Sequence, residues 1–329
     1  MTRHGSVVLR MTPITAGEPT RDTLCGNSLQ RVLKRYFWST RPMFFPASIL
    51  PMLVGSAWGW REAGAFDPLI FVVALIAVVL VHAGINVVND VADDRTGTDR
   101  LNHDRIHPFT GGSRFIQNGI MTSAEMARWG KSLLAAGAAL GIVLVVLKGL
   151  AVLAFGAIGI GLGIAYSLPP LALGARGLGE LAVAIGFGTL PVVGSFWLQA
   201  ETVSNNAVLL SLPLSFWVTA VLLINELPDA EADALAGKRT LVVRLGIGGS
   251  RWLYTVLQLA AFGALLVAAV YGAIPWLGLI LPIGLFVPAV IAARAIGKSR
   301  STLRCGILCT LWIHALGGIW VAGLAFSPF

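Results

Sequence analysis

The sequence predicts an all-α, polytopic membrane protein with about nine transmembrane helices around a central cavity. Three observations predict it. The 329 residues are 56% hydrophobic and only 12% charged, about half the charge of a soluble domain. Apolar stretches of about 20 residues, long enough to cross a hydrocarbon core, recur along the chain, and mean hydropathy is +0.79. Charge collects in alternate connections between those stretches. This composition excludes disorder, collagen and a disulfide-stapled secreted scaffold. The net charge of +8 reads as loop charge that orients the chain in a bilayer, not as a nucleic-acid surface.

Residues 1–40 form a polar tail. Its first 35 residues hold no apolar h-region, so it reads as a mobile cytosolic segment and not as a cleavable signal peptide. Residues 41–329 read as a single transmembrane domain. Its spans lie at about 43–60, 69–91, 127–147, 150–166, 178–199, 207–226, 251–272, 276–293 and 303–326, the first, fourth and eighth being short or carrying Pro. Of the 24 Lys and Arg, 22 fall in the tail and in or beside the loops after spans two, four, six and eight; only Arg61 and Lys148 lie opposite. The positive-inside rule then places the N-terminus and these loops in the cytoplasm, with the chain in the cell (inner) membrane. Cys25, Cys305 and Cys309 form no CxxC pair, so neither a zinc ribbon nor a redox dithiol is expected.

The acidic residues share that side: 13 of 16 lie there, ten of them in or beside the loops after spans two and six. Span two ends in Asn86, Asn89, Asp90, Asp93, Asp94 and Asp99; span six ends in Asn225, Glu226, Asp229, Glu231 and Asp233, followed by Lys238 and Arg239. Asn89 and Asp93 are four apart, and Asn225, Asp229 and Asp233 stand at i, i+4 and i+8, which on one helix stacks them on one face. The separations Asn89–Asn225 and Asp93–Asp229 are both 136, as in a weak internal repeat with two facing acidic patches. Carboxylates at a membrane boundary are costly unless paired or bound to a cation. Oxygen ligands without His or thiolate suit Mg²⁺, which binds through one or two carboxylates and substrate phosphate oxygens. Two facing acidic sets beside Lys and Arg therefore predict a Mg²⁺–diphosphate site. A transporter would place its acids nearer mid-membrane.

Asn89-Asp90-x-x-Asp93 with Asp229-x-x-x-Asp233 on nine spans resembles the UbiA-type intramembrane prenyltransferases, most closely the branch that prenylates 1,4-dihydroxy-2-naphthoate in menaquinone synthesis. The likeness runs from about Arg41 to the C-terminus. It is strongest at Arg41-Pro42 with Phe45 to Ser48, the first acidic motif, Thr110-Gly-Gly-Ser-Arg114, and Asn225 through Arg244. Two departures matter. The third acid of the first motif, four after Asp93 in many relatives, is Gly97 here, with Asp99 the nearest substitute. His82 stands where the 4-hydroxybenzoate branch is expected to carry Arg.

The resemblance implies transfer of a polyprenyl group from an allylic diphosphate to an aromatic acceptor. Mg²⁺ is then expected on Asn89, Asp93, Asp229 and Asp233, with Asp90 and Asp99 as second-tier candidate ligands. Lys238, Arg239, Arg114 and Asn225 are expected at the diphosphate. Arg41 either joins them or marks the cytosolic end of its helix. The two-glycine segment Thr110 to Arg114 reads as an anion-binding turn or lid. Tyr166 and Ser167 are implied at the aromatic pocket. His82 faces the site if its helix is regular, and there can bond a ring hydroxyl or carboxylate. Prenyl chain length, exact acceptor and oligomeric state have no signature in the sequence.

Overall fold

The computed structural model describes residues 14–327 except Ala16. Among these the regular structure is entirely helical. An amphipathic helix α1 (Leu29–Trp38) precedes nine apolar helices. These are α2 (Pro42–Ala63), α3 (Pro68–Thr96), α4 (Ser123–Lys148), α5 (Ala151–Ser167), α6 (Gly179–Ala200), α7 (Asn205–Glu226), α8 (Leu241–Val270), α9 (Trp276–Ala295) and α10 (Arg300–Leu324). Eight are long and apolar enough to cross a membrane; α5, with 17 residues, is the shorter ninth. The chain is a multi-pass membrane protein.

Local chemistry sets the helix ends. Asp67 caps α3 by accepting the Ile70 N–H at 3.0 Å, with Pro68 in the first turn. The helix then runs through the first acidic motif, past the predicted end at 91, and stops at Gly97, whose φ of +81° suits glycine. Thr122 and Glu125 close a capping box on α4. In α6 a π-turn at Ile185–Thr189 coincides with Pro191, which has no N–H to offer the Phe187 carbonyl. Capped by Thr240, α8 starts at Leu241, ten residues ahead of the predicted start, and Gly246 at φ +64° interrupts its first turns.

The helices pair as α3 with α4, α2 with α6, α7 with α8 and α9 with α10; α10 also packs on α2 and α7. The Trp58 indole N–H donates to the Val321 carbonyl at 2.9 Å, pinning α2 to α10. Small residues allow close approach, which is how helices associate where lipid removes the hydrophobic drive. At Gly55 a Cβ would overlap the Val192 carbonyl and the Ser195 hydroxyl of α6. Gly55→Leu is expected to cost about 1–3 kcal/mol by overpacking, read as a lower midpoint of thermal unfolding in detergent.

The segment between Gly17 and α1, expected as part of a polar tail, is docked on the domain: Glu18 meets Arg105 at 2.6 Å in an ion pair almost wholly removed from solvent. Asn118 Nδ2 donates to the Pro19 carbonyl at 2.9 Å, and Leu24 packs with Phe115 and Met121. Burial penalises the Glu18 charge, but Arg105, Thr15 and Asn118 outweigh it and hold the carboxyl below its usual range. Residues 1–13 of the predicted tail lie outside the described residues. Helix α1 exposes Leu29, Leu33 and Phe37 beside Arg31 and Lys34, the pattern of a helix at a membrane–water interface.

Candidate active site

Helices α2 to α7 enclose a cavity of about 580 Å³; α8 to α10 supply none of its lining and buttress α2 and α7 from behind. Its wall on α3 extends from Ala74 to Asp93, a rise of about 28 Å at 1.5 Å per residue. Most of that length is apolar, faced by Gly137 and Val145 of α4, Phe155 of α5 and Leu190 of α6. The polar groups gather at one end, where α3, α5 and α7 finish and α2 and α6 begin. The space is thus a greasy slot with a charged head.

The head joins the two acidic motifs. Lys238 Nζ lies 2.7 Å from Asp93 and 3.2 Å from Asp233, one carboxylate from each motif. Asn102 Nδ2 donates to Asp229 at 2.6 Å. Segment 110–114 completes the clasp. The Gly111 N–H donates to Asp229 at 3.0 Å and the Ser113 N–H to Asp90 at 3.1 Å. Gly111 and Gly112, at φ +74° and +72°, make that double approach possible. The segment does bind anions, but they are the protein's own carboxylates.

Negative charge is in excess here. Burial raises the Asp229 carboxyl above its ordinary value despite Asn102 and Gly111. Burial and the neighbouring Asp93 and Asp90 push Asp99 well up. Asp233 is raised to about 6, again by burial, with Lys238 pulling the other way. Burial disfavours the Lys238 charge, yet Asp93 and Asp233 outweigh that and raise it. Asn225 Oδ1, on a residue that lines the cavity, is buried and meets no donor. Among the described residues no three His, Cys, Asp or Glu gather closely enough to enclose an ion. Hard oxygens in excess, incomplete as a cage, fit a Mg²⁺ that completes its shell on substrate phosphate.

Of the predicted residues, Asn89, Asp93, Asp99, Asn225, Asp229, Asp233, Lys238, Arg41, Tyr166, Ser167 and His82 all line the cavity. Asn89 Nδ2 donates to Ser167 Oγ at 3.2 Å, which joins α3 to the end of α5. His82 pairs through Nδ1 with Ser48 Oγ at 2.7 Å and stands edge-on to Phe187. Tyr166 is closely faced by Gly174 and Gly179, where a Cβ would come within 3.1 and 3.2 Å of its ring.

Three of the predicted residues lie off the cavity. Asp90 is buried behind the clasp, bonded to Ser113 and 3.7 Å from Arg41, and is absent from the cavity lining. Arg114 is also off the cavity; it is 1% exposed and donates to the Asp99 carbonyl at 2.5 Å. Arg239 is exposed and absent from the cavity lining, its own N–H bound to the Ala175 carbonyl. The second motif is also not one continuous helix: α7 ends at Glu226, a turn spans 227–229, and a new helix covers Ala230–Leu235. Pro228, with no N–H to continue the ladder, accounts for the break. Asn102, Ser48 and Glu180 were not singled out from sequence. For Glu180 a signal existed, an acid at the head of an apolar span; Ser48 stood in a segment that carries the family likeness, and for Asn102 there was no signal.

A family model described as the UbiA prenyltransferase family matches residues 48–314. The 1,4-dihydroxy-2-naphthoate octaprenyltransferase of Escherichia coli (strain K12) is 33% identical over 248 residues, 70% of this chain and 76% of that protein. The enzyme of that name from Mycobacterium tuberculosis is 33% identical over 294 residues, 86% of this chain and 95% of its own. Among solved structures, a UbiA homologue from Archaeoglobus fulgidus bound to DMAPP and Mg²⁺ superposes with a TM-score of 0.61. It has 16% identity and covers 88% of this chain and 99% of that one. The apo structure of a UbiA homologue from Aeropyrum pernix K1 gives 0.62 at 19% identity, covering 85% and 97%. At such identities these two structures speak for the fold alone.

Proposed function

The chain belongs to the UbiA prenyltransferase family, and on that premise we propose that it transfers a polyprenyl group from an allylic diphosphate to 1,4-dihydroxy-2-naphthoate in menaquinone synthesis, with Mg²⁺. The observation that carries this reading is the charged head, with both acidic motifs, at the end of the apolar slot. Its acids sit at that one end, as diphosphate capture needs and mid-membrane transport does not. The naphthoate is supported by relatives of that name at 33% identity and by His82, which stands where the 4-hydroxybenzoate branch is expected to carry Arg. Charge asymmetry supports a cell (inner) membrane location with N-terminus and site loops cytoplasmic.

Asn89, Asp93, Asp229 and Asp233, with Asp99, would hold Mg²⁺, which supplies positive charge to diphosphate oxygens as the leaving group departs. Lys238 and Arg41 line the same head and add cationic charge to the leaving group, where charge stabilisation contributes most. The α3–α5 wall holds the isoprenoid tail and keeps water from the allylic cation. Tyr166, Ser167 and His82 border the space in which the ring stands. His82→Ala is expected to raise the acceptor KM about tenfold, the loss of one good hydrogen bond, with the diphosphate KM unchanged.

The direct test gives purified protein one polyprenyl diphosphate and, separately, 1,4-dihydroxy-2-naphthoate, 4-hydroxybenzoate and homogentisate, with products read by mass spectrometry. Product from the naphthoate alone is expected. Product from another acceptor instead would overturn the substrate and leave prenyl transfer standing.

A further inference from the structure

One pair of acids at the site has no part in the diphosphate chemistry above. Glu226, the last residue of α7, lines the cavity; Glu180, in the first turn of α6, stands behind it. Both are at least nine-tenths buried, and their carboxyl groups lie within hydrogen-bond reach of each other. Among the described residues no donor reaches either Glu180 oxygen or Glu226 Oε2. The nearby Thr219 hydroxyl goes to the Glu180 and Ser215 carbonyls instead. Lys238 is engaged by Asp93 and Asp233.

Leaving buried carboxyl oxygens without donors is costly, and such groups in a native protein point to a bound partner. A carboxyl group that carries a proton can donate to a carboxylate beside it, so Glu180 is placed to hold the orientation of Glu226, which lines the cavity. Tyr166 also lines the cavity, in the turn where α5 finishes, and the backbones of Gly174 and Gly179 pack closely against its ring. A carboxyl group and an aromatic ring that both line the cavity, where the apolar slot meets its charged head, match a planar ring bearing a hydroxyl.

We propose that Glu226, held by Glu180, is the hydrogen-bond partner of a ring hydroxyl of the acceptor and thereby selects phenolic over etherified rings. The assignment rests on the aromatic-acceptor reading given above. Glu226 is then a substrate-binding residue and Glu180 a positioning residue.

The test uses the purified full chain with Mg²⁺, a polyprenyl diphosphate, and a hydroxylated acceptor beside its O-methyl ether, and follows prenyl product and diphosphate release separately. In Glu226→Met the acceptor KM should rise about 10- to 100-fold, as for loss of a hydrogen bond to a charged group. The KM for polyprenyl diphosphate should stay within about twofold of wild type, which also certifies folding. Preference for the hydroxyl over the ether should shrink by about the same factor as the acceptor KM rises. Glu180→Gln, whose amide can still donate to Glu226, should retain near-wild-type acceptor KM, whereas Glu180→Leu should raise it. An unchanged acceptor KM and an unchanged preference in Glu226→Met would overturn the assignment. An equal rise in both KM values would also overturn it and move Glu226 to the diphosphate. Failure of the wild type to prenylate any aromatic ring while still releasing diphosphate would instead overturn the acceptor reading, and this inference with it.

Discussion

Asp93→Asn is expected to lower kcat for prenyl transfer by about 10²- to 10³-fold, the scale seen when one charge-stabilising group is removed from an active site, with the protein still folded in membranes. Asp93 is the cleanest acid to remove. Its side chain receives Lys238 at 2.7 Å from the opposite motif, and an amide of the same size keeps a carbonyl for that contact. Asp229→Asn would be less informative. Asn102 and the Gly111 N–H donate to its two oxygens, so an amide there must set a donor against a donor and disturb the clasp. Steady-state kinetics on Asp93→Asn decide the matter; wild-type turnover would remove Asp93 from the metal site.

Lys238→Gln is expected to lower kcat/KM about hundredfold at neutral pH and to move the acid limb of the pH profile upward by about one unit. The direction follows from charge. With Lys238 in place the Asp233 carboxyl lies at about 6, raised by burial and pulled down by the ammonium. Without that cation its pKa moves further up, so the ionised form needed for Mg²⁺ is reached only at higher pH. Protons and metal compete for the same oxygen, so extra Mg²⁺ should partly recover activity below the limb. Lys238→Arg, which keeps the charge, should hold the limb near its original position. A Lys238→Gln profile with the wild-type limb and wild-type kcat/KM would contradict the bridge as a functional feature.

What was legible in the sequence follows from what is local. The nine spans announce themselves through apolar length, and the observed ends fall close to those expected, Leu241 being the main exception because capped Thr240 starts a helix before the apolar run. The repeat of 136 residues located both acidic motifs, which Lys238 joins in space. Side-chain direction outside regular helices was not legible. Arg114 stands at φ +66°, a backbone setting that turns it beneath Asp99, and residue type alone does not disclose this. Pro228 did announce its break in α7, but the i, i+4, i+8 spacing was read through it. Contacts between distant loops left no trace at all: Glu18 and Arg105 are 87 positions apart, and their pair ties the N-terminal segment to the loop that carries Asn102. Arg105 NH1 also donates to the Asn102 carbonyl at 2.7 Å.

The central claim is that one charged head, built from both acidic motifs, drives departure of diphosphate toward a ring held in the same cavity. It is tested most directly by following diphosphate release and prenylated naphthoate together in a single reaction of the purified protein, with Mg²⁺ and with EDTA. Equal amounts of the two products with Mg²⁺, and neither with EDTA, are expected. Full turnover in EDTA, or product formation that survives loss of both Asp93 and Asp233, would contradict the account.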